Sequence, residues 1–167
     1  MSELWDVYDG NGQKTGRTME RGVPKPGEYM LCVHIYLHTP DGRFLVQKRS
    51  KTKESHPGEW DVTGGAVLHG EESIDAAIRE TLEEIGISLS KEELHFVSRI
   101  KKRKSFADVY FAEKAFELSA CTLQEEEVEE VSFVSGEELL KMEKNERLRE
   151  IPYMEVIERA VRRRGFV

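Results

Sequence analysis

Apolar residues along this chain recur with two periods, and each change of period marks an element. Residues 29–38 are apolar on both faces, as a central strand would be. Thr39-Pro40-Asp41-Gly42 is a turn, and 43–48 return as a second strand. Upstream, 4–8 and 14–19 flank Asp9-Gly10-Asn11-Gly12 and predict an N-terminal β-hairpin. A helical period follows: Ile74, Ala77, Ile78, Leu82 and Ile85 make one apolar stripe, which predicts a helix over 74–85. Ser73 is the expected N-cap, Asp75 sits beside the positive helix end, and Gly86 stands where a left-handed C-cap is wanted. Further on, 94–100 and 106–116 read as strands around the basic turn 101–104. The acidic stretch 125–130 leads into a strand over 131–134. Ser135 caps a short helix from near Gly136, with Leu139, Leu140 and Met142 inward. Ile151, Met154, Ile157, Ala160 and Val161 mark a C-terminal amphipathic helix. Arg162, Arg163 and Arg164 complement its dipole, a reading preferred to a nucleic-acid patch.

The polar side of the first helix changes the picture from fold to chemistry. At about 100° per residue, Glu80, Glu83 and Glu84 fall within an arc of about 100°, away from the apolar stripe. Such stacked carboxylates repel by roughly 0.2–0.5 kcal/mol per pair. A divalent cation between them reverses that sign, and oxygen-rich clusters suit Mg²⁺ or Mn²⁺.

The spacing extends beyond the helix. Gly65, Glu71 and the run Arg79-Glu80-Thr81-Leu82-Glu83-Glu84-Ile85-Gly86-Ile87 match G-x5-E-x7-R-E-U-x-E-E-x-G-U, with Thr81 where an aliphatic residue is usual. The chain thus resembles the Nudix hydrolase family. The resemblance implies an α+β Nudix fold, a mixed β-sheet sandwiched between α-helices. Gln47-Lys48-Arg49, Pro57-Gly58-Glu59-Trp60-Asp61, the hairpin and residues 124–133 look like the subgroup related to isopentenyl diphosphate isomerase. That isomerase family uses a cysteine just after its Pro-Gly-x-Trp segment, a histidine-rich metal site and a degenerate box. Here Asp61-Val62-Thr63 follows Trp60, Met30 stands where a metal-binding histidine would align, and the box is complete.

The resemblance implies cleavage of a phosphoanhydride in a nucleoside diphosphate-linked or nucleoside di- or triphosphate substrate. By it, Glu80, Glu83 and Glu84 ligate metal, with the Gly65 carbonyl as a further ligand. The base is Glu80 or a glutamate outside the box, for which Glu127 is the candidate. Arg79 orients a box glutamate, and Glu71 has a supporting role. Lys48 and Arg49 at a strand end, and Trp60, are candidate substrate contacts. An isomerase and a non-catalytic nucleotide sensor are the alternatives.

Composition narrows the setting. The 167 residues are 38% hydrophobic and 34% charged, with a net charge of −7. This describes one folded domain, hairpin 1–25 and core 28–167, with no electrostatic reason to bind nucleic acid. Cys32 and Cys121 have neither zinc spacing nor a disulfide framework, which suits a reducing cytoplasm. No signal-peptide pattern opens the chain, and no apolar run is long enough to span a bilayer. The hairpin can either pair across a homodimer or cover its own sheet.

Overall fold

The computed structural model describes residues 2–144 and 154–167. Strands β1 (Leu4–Tyr8) and β2 (Lys14–Glu20) pair antiparallel as a separate two-stranded sheet. The Asp9 carboxylate closes their turn by accepting the Asn11 and Gln13 amides at 2.9 and 3.1 Å. β1 buries Trp5, Val7 and Tyr8, and Tyr8 exchanges backbone hydrogen bonds with Tyr29 at 2.8 and 3.0 Å. The hairpin therefore rests on the main sheet of its own chain.

That main sheet is mixed and seven-stranded, built from β3 (Met30–His38), β4 (Arg43–Arg49), β5 (Trp60–Asp61), β6 (Thr63–Ala66), β7 (Leu94–Lys101), β8 (Ser105–Glu113) and β9 (Val128–Ser135). Two wings meet where β3 turns into β4 and His38 faces Phe44. In the first wing β3 runs parallel to β8 and antiparallel to β6, and β7 extends the edge. In the second, β4 is antiparallel to both β5 and β9.

Strand alternation divides the core into two layers. Val33, Ile35 and Leu37 of β3 meet Ala76, Ala77 and Ile85 of helix α1 (Ser73–Ile85). On the other side Tyr36 and Phe44 meet Leu139 of α2 (Gly136–Lys144) and Ile157, Ala160 and Val161 of α3 (Met154–Arg163). Each of the larger aliphatic and Phe side chains among these contributes roughly 1.5–3 kcal/mol on burial. Packing of this size, more than intrinsic propensity, holds helices this short. The result is the expected α+β sandwich.

Several boundaries move, each for a local reason. Ser73 is the first helical residue instead of the cap: Glu72 takes the cap position without a side-chain bond, and the Ser73 hydroxyl pairs with Tyr110 Oη at 2.6 Å. The buried side of α1 is Ala76, Ala77, Thr81, Glu84 and Ile85, so Leu82, expected in the stripe, is 50% exposed. Thr81 satisfies its hydroxyl on the Ala77 carbonyl at 2.7 Å. Gly86 has φ 72° and its amide caps the Leu82 carbonyl, as expected. β8 ends at Glu113, where its parallel partner β3 ends at His38, leaving Phe116 outside the strand. β9 begins early, at Val128, because β4 offers a partner as far as Arg49. Ile151, assigned to the last helix from its spacing, lies outside the described residues.

Candidate active site

The site begins with a glycine. On β6, Gly65 lies opposite Val33, and a Cβ there would collide with the Glu80 carboxylate of α1. The missing side chain lets the helix carboxylate approach the strand backbone. Arg79 then ties this contact into a network. Its Nε donates to Glu71 Oε1 at 2.8 Å and its Nη2 to Glu71 Oε2 at 3.1 Å, a bidentate pair. The same Nη2 donates to the Ala66 carbonyl at 3.0 Å, and Nη1 reaches Glu80 at 2.9 Å and Glu83 at 3.2 Å. Glu71 also accepts the Leu68 amide at 3.0 Å. Burial opposes the charge on Arg79, but Glu71 and Glu80 outweigh it and raise its pKa.

The three box glutamates occupy different environments. Glu83 is half exposed, whereas Glu84 is only 6% exposed and faces β4. There Gln47 Nε2 donates to Glu84 Oε2, and Gln47 Oε1 accepts the Thr63 hydroxyl at 2.8 Å. Burial pushes the Glu84 carboxyl well above the usual carboxylate range, the Glu80 charge adds to this, and the Gln47 bond opposes it. Burial raises Glu80 as well, against the pull of Arg79. A buried carboxylate, Glu84, whose charge the partly buried Glu80 disfavours, set beside a backbone from which Cβ is absent, forms a donor set that fits a hard divalent cation. Among the described residues no three His, Cys, Asp or Glu side chains are gathered closely enough to hold a metal ion as they stand; Arg79 engages Glu80 and Glu83 instead.

Gln47, Gly65, Glu80, Glu83 and Glu84 line a cavity of about 350 Å³. Arg49 lies on its wall, bonded to the Ser55 carbonyl at 2.9 Å and 3.7 Å from Asp61. Glu127 also reaches it, paired with Lys53. Its loop is seated by two backbone bonds to the end of α1, from Thr122 to Ile85 at 2.9 Å and from Gln124 to Glu84 at 3.0 Å. Lys48 and Trp60 do not line the cavity. The two are paired across β4 and β5, Lys48 bonds Glu129 at 3.2 Å, and Trp60 packs against the second core layer. Alternation along β4 turns Leu45, Gln47 and Arg49 to one face and Phe44, Val46 and Lys48 to the other.

Sequence reasoning did not single out Gln47 or Asp61 as site residues, nor Cys32 and His34 of β3, all of which line the cavity. The parity of Leu45 was the available signal for Gln47. Cys32 and His34 required knowing that β6, with Gly64 and Gly65, pairs beside them.

Comparison with known proteins agrees with this geometry. A profile of the NUDIX domain matches residues 28–154. The chain belongs to the Nudix hydrolase family. A Nudix hydrolase of Listeria monocytogenes is 40% identical over 139 residues, 82% of each chain. Nudix hydrolase 3 of Arabidopsis thaliana is 32% identical over 166 residues, which cover 90% of this chain and 22% of that longer protein. In fold, this Nudix hydrolase is similar to DR0079 of Deinococcus radiodurans, with TM-score 0.75, 21% identity and coverage of 94% and 98% of the two chains. The NUDIX domain of Shewanella oneidensis NrtR, solved with ADP ribose, aligns with TM-score 0.62 and 20% identity over 81% of this chain and 88% of that one. As a Nudix hydrolase, the protein is a pyrophosphohydrolase acting on acid anhydrides, a chemistry that in this family generally uses a divalent metal such as Mg²⁺. Among the described residues, no helix is long and apolar enough to cross a membrane.

Proposed function

We propose that this Nudix hydrolase cleaves the phosphoanhydride of a nucleoside diphosphate-linked or nucleoside di- or triphosphate substrate, with Mg²⁺ or Mn²⁺ held by Glu80, Glu83, Glu84 and the Gly65 carbonyl. The observation that carries the reading is the approach of Glu80 to the Gly65 backbone beside the buried Glu84. Arg79 offsets the charge on Glu80, while buried Glu84 has the neutral Gln47 amide as its partner, so its charge is a cost that a bound cation would relieve. The fold also admits a ligand of this class, as the ADP ribose complex of the Shewanella domain illustrates.

The roles follow from position. When bound, the divalent ion neutralises the diphosphate and acidifies water for attack. Glu80 and Glu84 hold the reacting end of the cavity, with Gln47 fixing the rotamer of Glu84. Arg79, locked by Glu71, fixes Glu80 and Glu83. We assign the acceptance of the water proton to Glu80, which stands against the Gly65 backbone beside Glu84, over Glu127, which is on the later loop and paired with Lys53. Arg49 is placed to meet substrate phosphate.

The test is a panel of nucleoside di- and triphosphates, nucleotide sugars, dinucleotides and isopentenyl diphosphate with Mg²⁺ or Mn²⁺, run with wild type and Glu84→Gln. Metal-dependent release of phosphate or a nucleoside monophosphate, lost in the variant, is the expected result. Stoichiometric nucleotide binding without turnover at any metal concentration would replace this reading with a sensor. Conversion of isopentenyl diphosphate to its isomer would replace it with an isomerase.

A further inference from the structure

The cavity extends beyond the catalytic glutamates. Along β3, Gly65 sits beside Val33, while Met30, three residues earlier, marks the other end. At about 3.3 Å per residue, that end lies about 10 Å away along the sheet. Its walls come from elements outside the box: Glu3, Trp5 and Arg21 from the open end of the hairpin, and Lys102 from the basic turn between β7 and β8.

The charges at the two ends are handled differently. Near the reacting end each cation is already engaged, Arg49 beside Asp61 and Lys53 on Glu127. At the hairpin end, Arg21 is exposed and only 4.0 Å from Glu3. Lys102 is partly buried in the cavity wall, and its side chain has no hydrogen bond or ion pair among the described residues. Its neighbour Lys101 is occupied, donating to the Gly10 carbonyl at 2.7 Å with Tyr29 beneath it. In a chain of net charge −7, an unpaired cation half-withdrawn from water and facing a substrate cavity calls for an anion. Trp5 and Met30 supply apolar wall, and the Glu3 carboxylate at this end is already engaged, accepting from Trp5 Nε1 at 3.3 Å with Arg21 4.0 Å away.

We propose that the hairpin end is a subsite for a second anionic group, a phosphate or carboxylate carried by the moiety beyond the scissile diphosphate, with Lys102 as its counter-charge. This rests on the diphosphate-hydrolase reading of the same cavity. The preferred substrate is then an asymmetric diphosphate with an acidic tail, and a neutral-tailed analogue is the poorer one.

Two matched probe pairs test it: UDP-glucuronate against UDP-glucose, and 2′-phosphorylated ADP-ribose against ADP-ribose. Each is measured by kcat and KM, and separately by calorimetric titration. In at least one pair wild type favours the acidic member, and Lys102→Gln removes that preference about tenfold through KM and Kd, leaving the neutral member unchanged. Lys101→Gln, the same charge change one residue away, leaves the preference intact. No preference in either pair, or equal weakening of both members by Lys102→Gln or by both lysine variants, overturns the subsite. If none of the four probes is hydrolysed, the affinity ratios alone decide the subsite, and the hydrolase reading stands or falls on the wider substrate panel.

Discussion

At the helix end of the cavity, Glu80, Glu83 and Glu84 come from one short stretch of chain, and behind them a single guanidinium, Arg79, ties Glu80 and Glu83 to Glu71. At the hairpin end, Trp5, Arg21, Met30 and Lys102 come from distant parts of the sequence, and the Lys102 side chain has no hydrogen bond or ion pair among the described residues. The first arrangement fixes a geometry that one kind of chemistry requires. The second leaves the wall free to differ without disturbing that geometry. Reaction and specificity are therefore separable in this molecule, and variants at the two ends should fail in different ways.

The largest difference is expected at Glu84. Replacing it with Gln keeps the shape and removes a carboxylate from the reacting end, so metal-dependent turnover falls at least a hundredfold. Stability moves the other way. Burial and Glu80 raise the Glu84 pKa, so the folded protein pays to hold the charge at neutral pH. In EDTA, Glu84→Gln therefore melts above wild type, at roughly 2–4 °C per kcal/mol recovered for a chain of this size. Mg²⁺ at about 100 times its Kd adds about 2.7 kcal/mol to wild type, and clearly less to the variant. A variant that loses activity and also melts lower in EDTA would show Glu84 to be a structural partner of Gln47 instead.

Arg79 comes next. It touches five acceptor atoms on four residues, so Arg79→Ala releases Glu80, Glu83 and the Glu71 loop together. Groups that orient metal ligands in this way are worth about 10–100-fold in affinity or activity. We expect the Mg²⁺ concentration for half-maximal rate to rise within that range, with partial recovery in Arg79→Lys. An unchanged Mg²⁺ requirement with a lower melting temperature would reduce Arg79 to a brace for the loop.

The same contrast decides how much could be read from the sequence. The box was legible because its helix has one period, so spacing placed Glu80, Glu83 and Glu84 together, and the resemblance carried by the box added Gly65. Lys48 and Trp60 went to the wrong face because a strand read in isolation has two possible parities, and only the packed position of Leu45 selects one. Leu82 misled for a related reason. An apolar stripe gives the buried side of a helix to within about one residue, and α1 is rotated so that Ala76 and Ala77 pack inward and Leu82 faces out. The hairpin end was not legible at all, because Trp5, Met30 and Lys102 meet only through the pairing of β3 with β8 and the seating of β1.

The rotation of α1 carries a smaller prediction. Ile85→Ala removes a fully buried side chain from the first core layer and costs about 2–5 kcal/mol. Leu82→Ala, equal in the original stripe, costs less than about 0.5 kcal/mol at its exposed position. Urea unfolding of the two variants reads the difference directly, and similar losses would restore the stripe as the sequence drew it.

The smallest effect tests how the two ends are joined. Asp6 of β1 accepts from the Gly70 amide at 3.0 Å and pairs with His69 at 2.7 Å and Lys14 at 3.3 Å. The backbone adds a bond from the His69 amide to the Leu4 carbonyl at 2.8 Å. The hairpin thereby holds the loop that leads into Glu71. Burial works against the Asp6 charge, but His69, Gly70 and Lys14 prevail and lower its pKa below the ordinary 3.8. A depressed carboxylate pKa means the charged form favours the folded hairpin, so the contribution is present above 3.8 and is lost as pH falls through the lower folded value. In a Trp60→Phe background the remaining indole, Trp5, reports on the hairpin alone. Its fluorescence should change in that acidic window in the parent and show no such step in Asp6→Asn. At neutral pH the Asp6→Asn change should raise KM for the acidic-tailed probe more than it lowers kcat, because it loosens the wall that holds Trp5 and Arg21 while the Arg79 network stays whole. An equal fall in kcat would mean that the loop carries hairpin motion into Glu71, and that the two ends of the cavity are coupled after all.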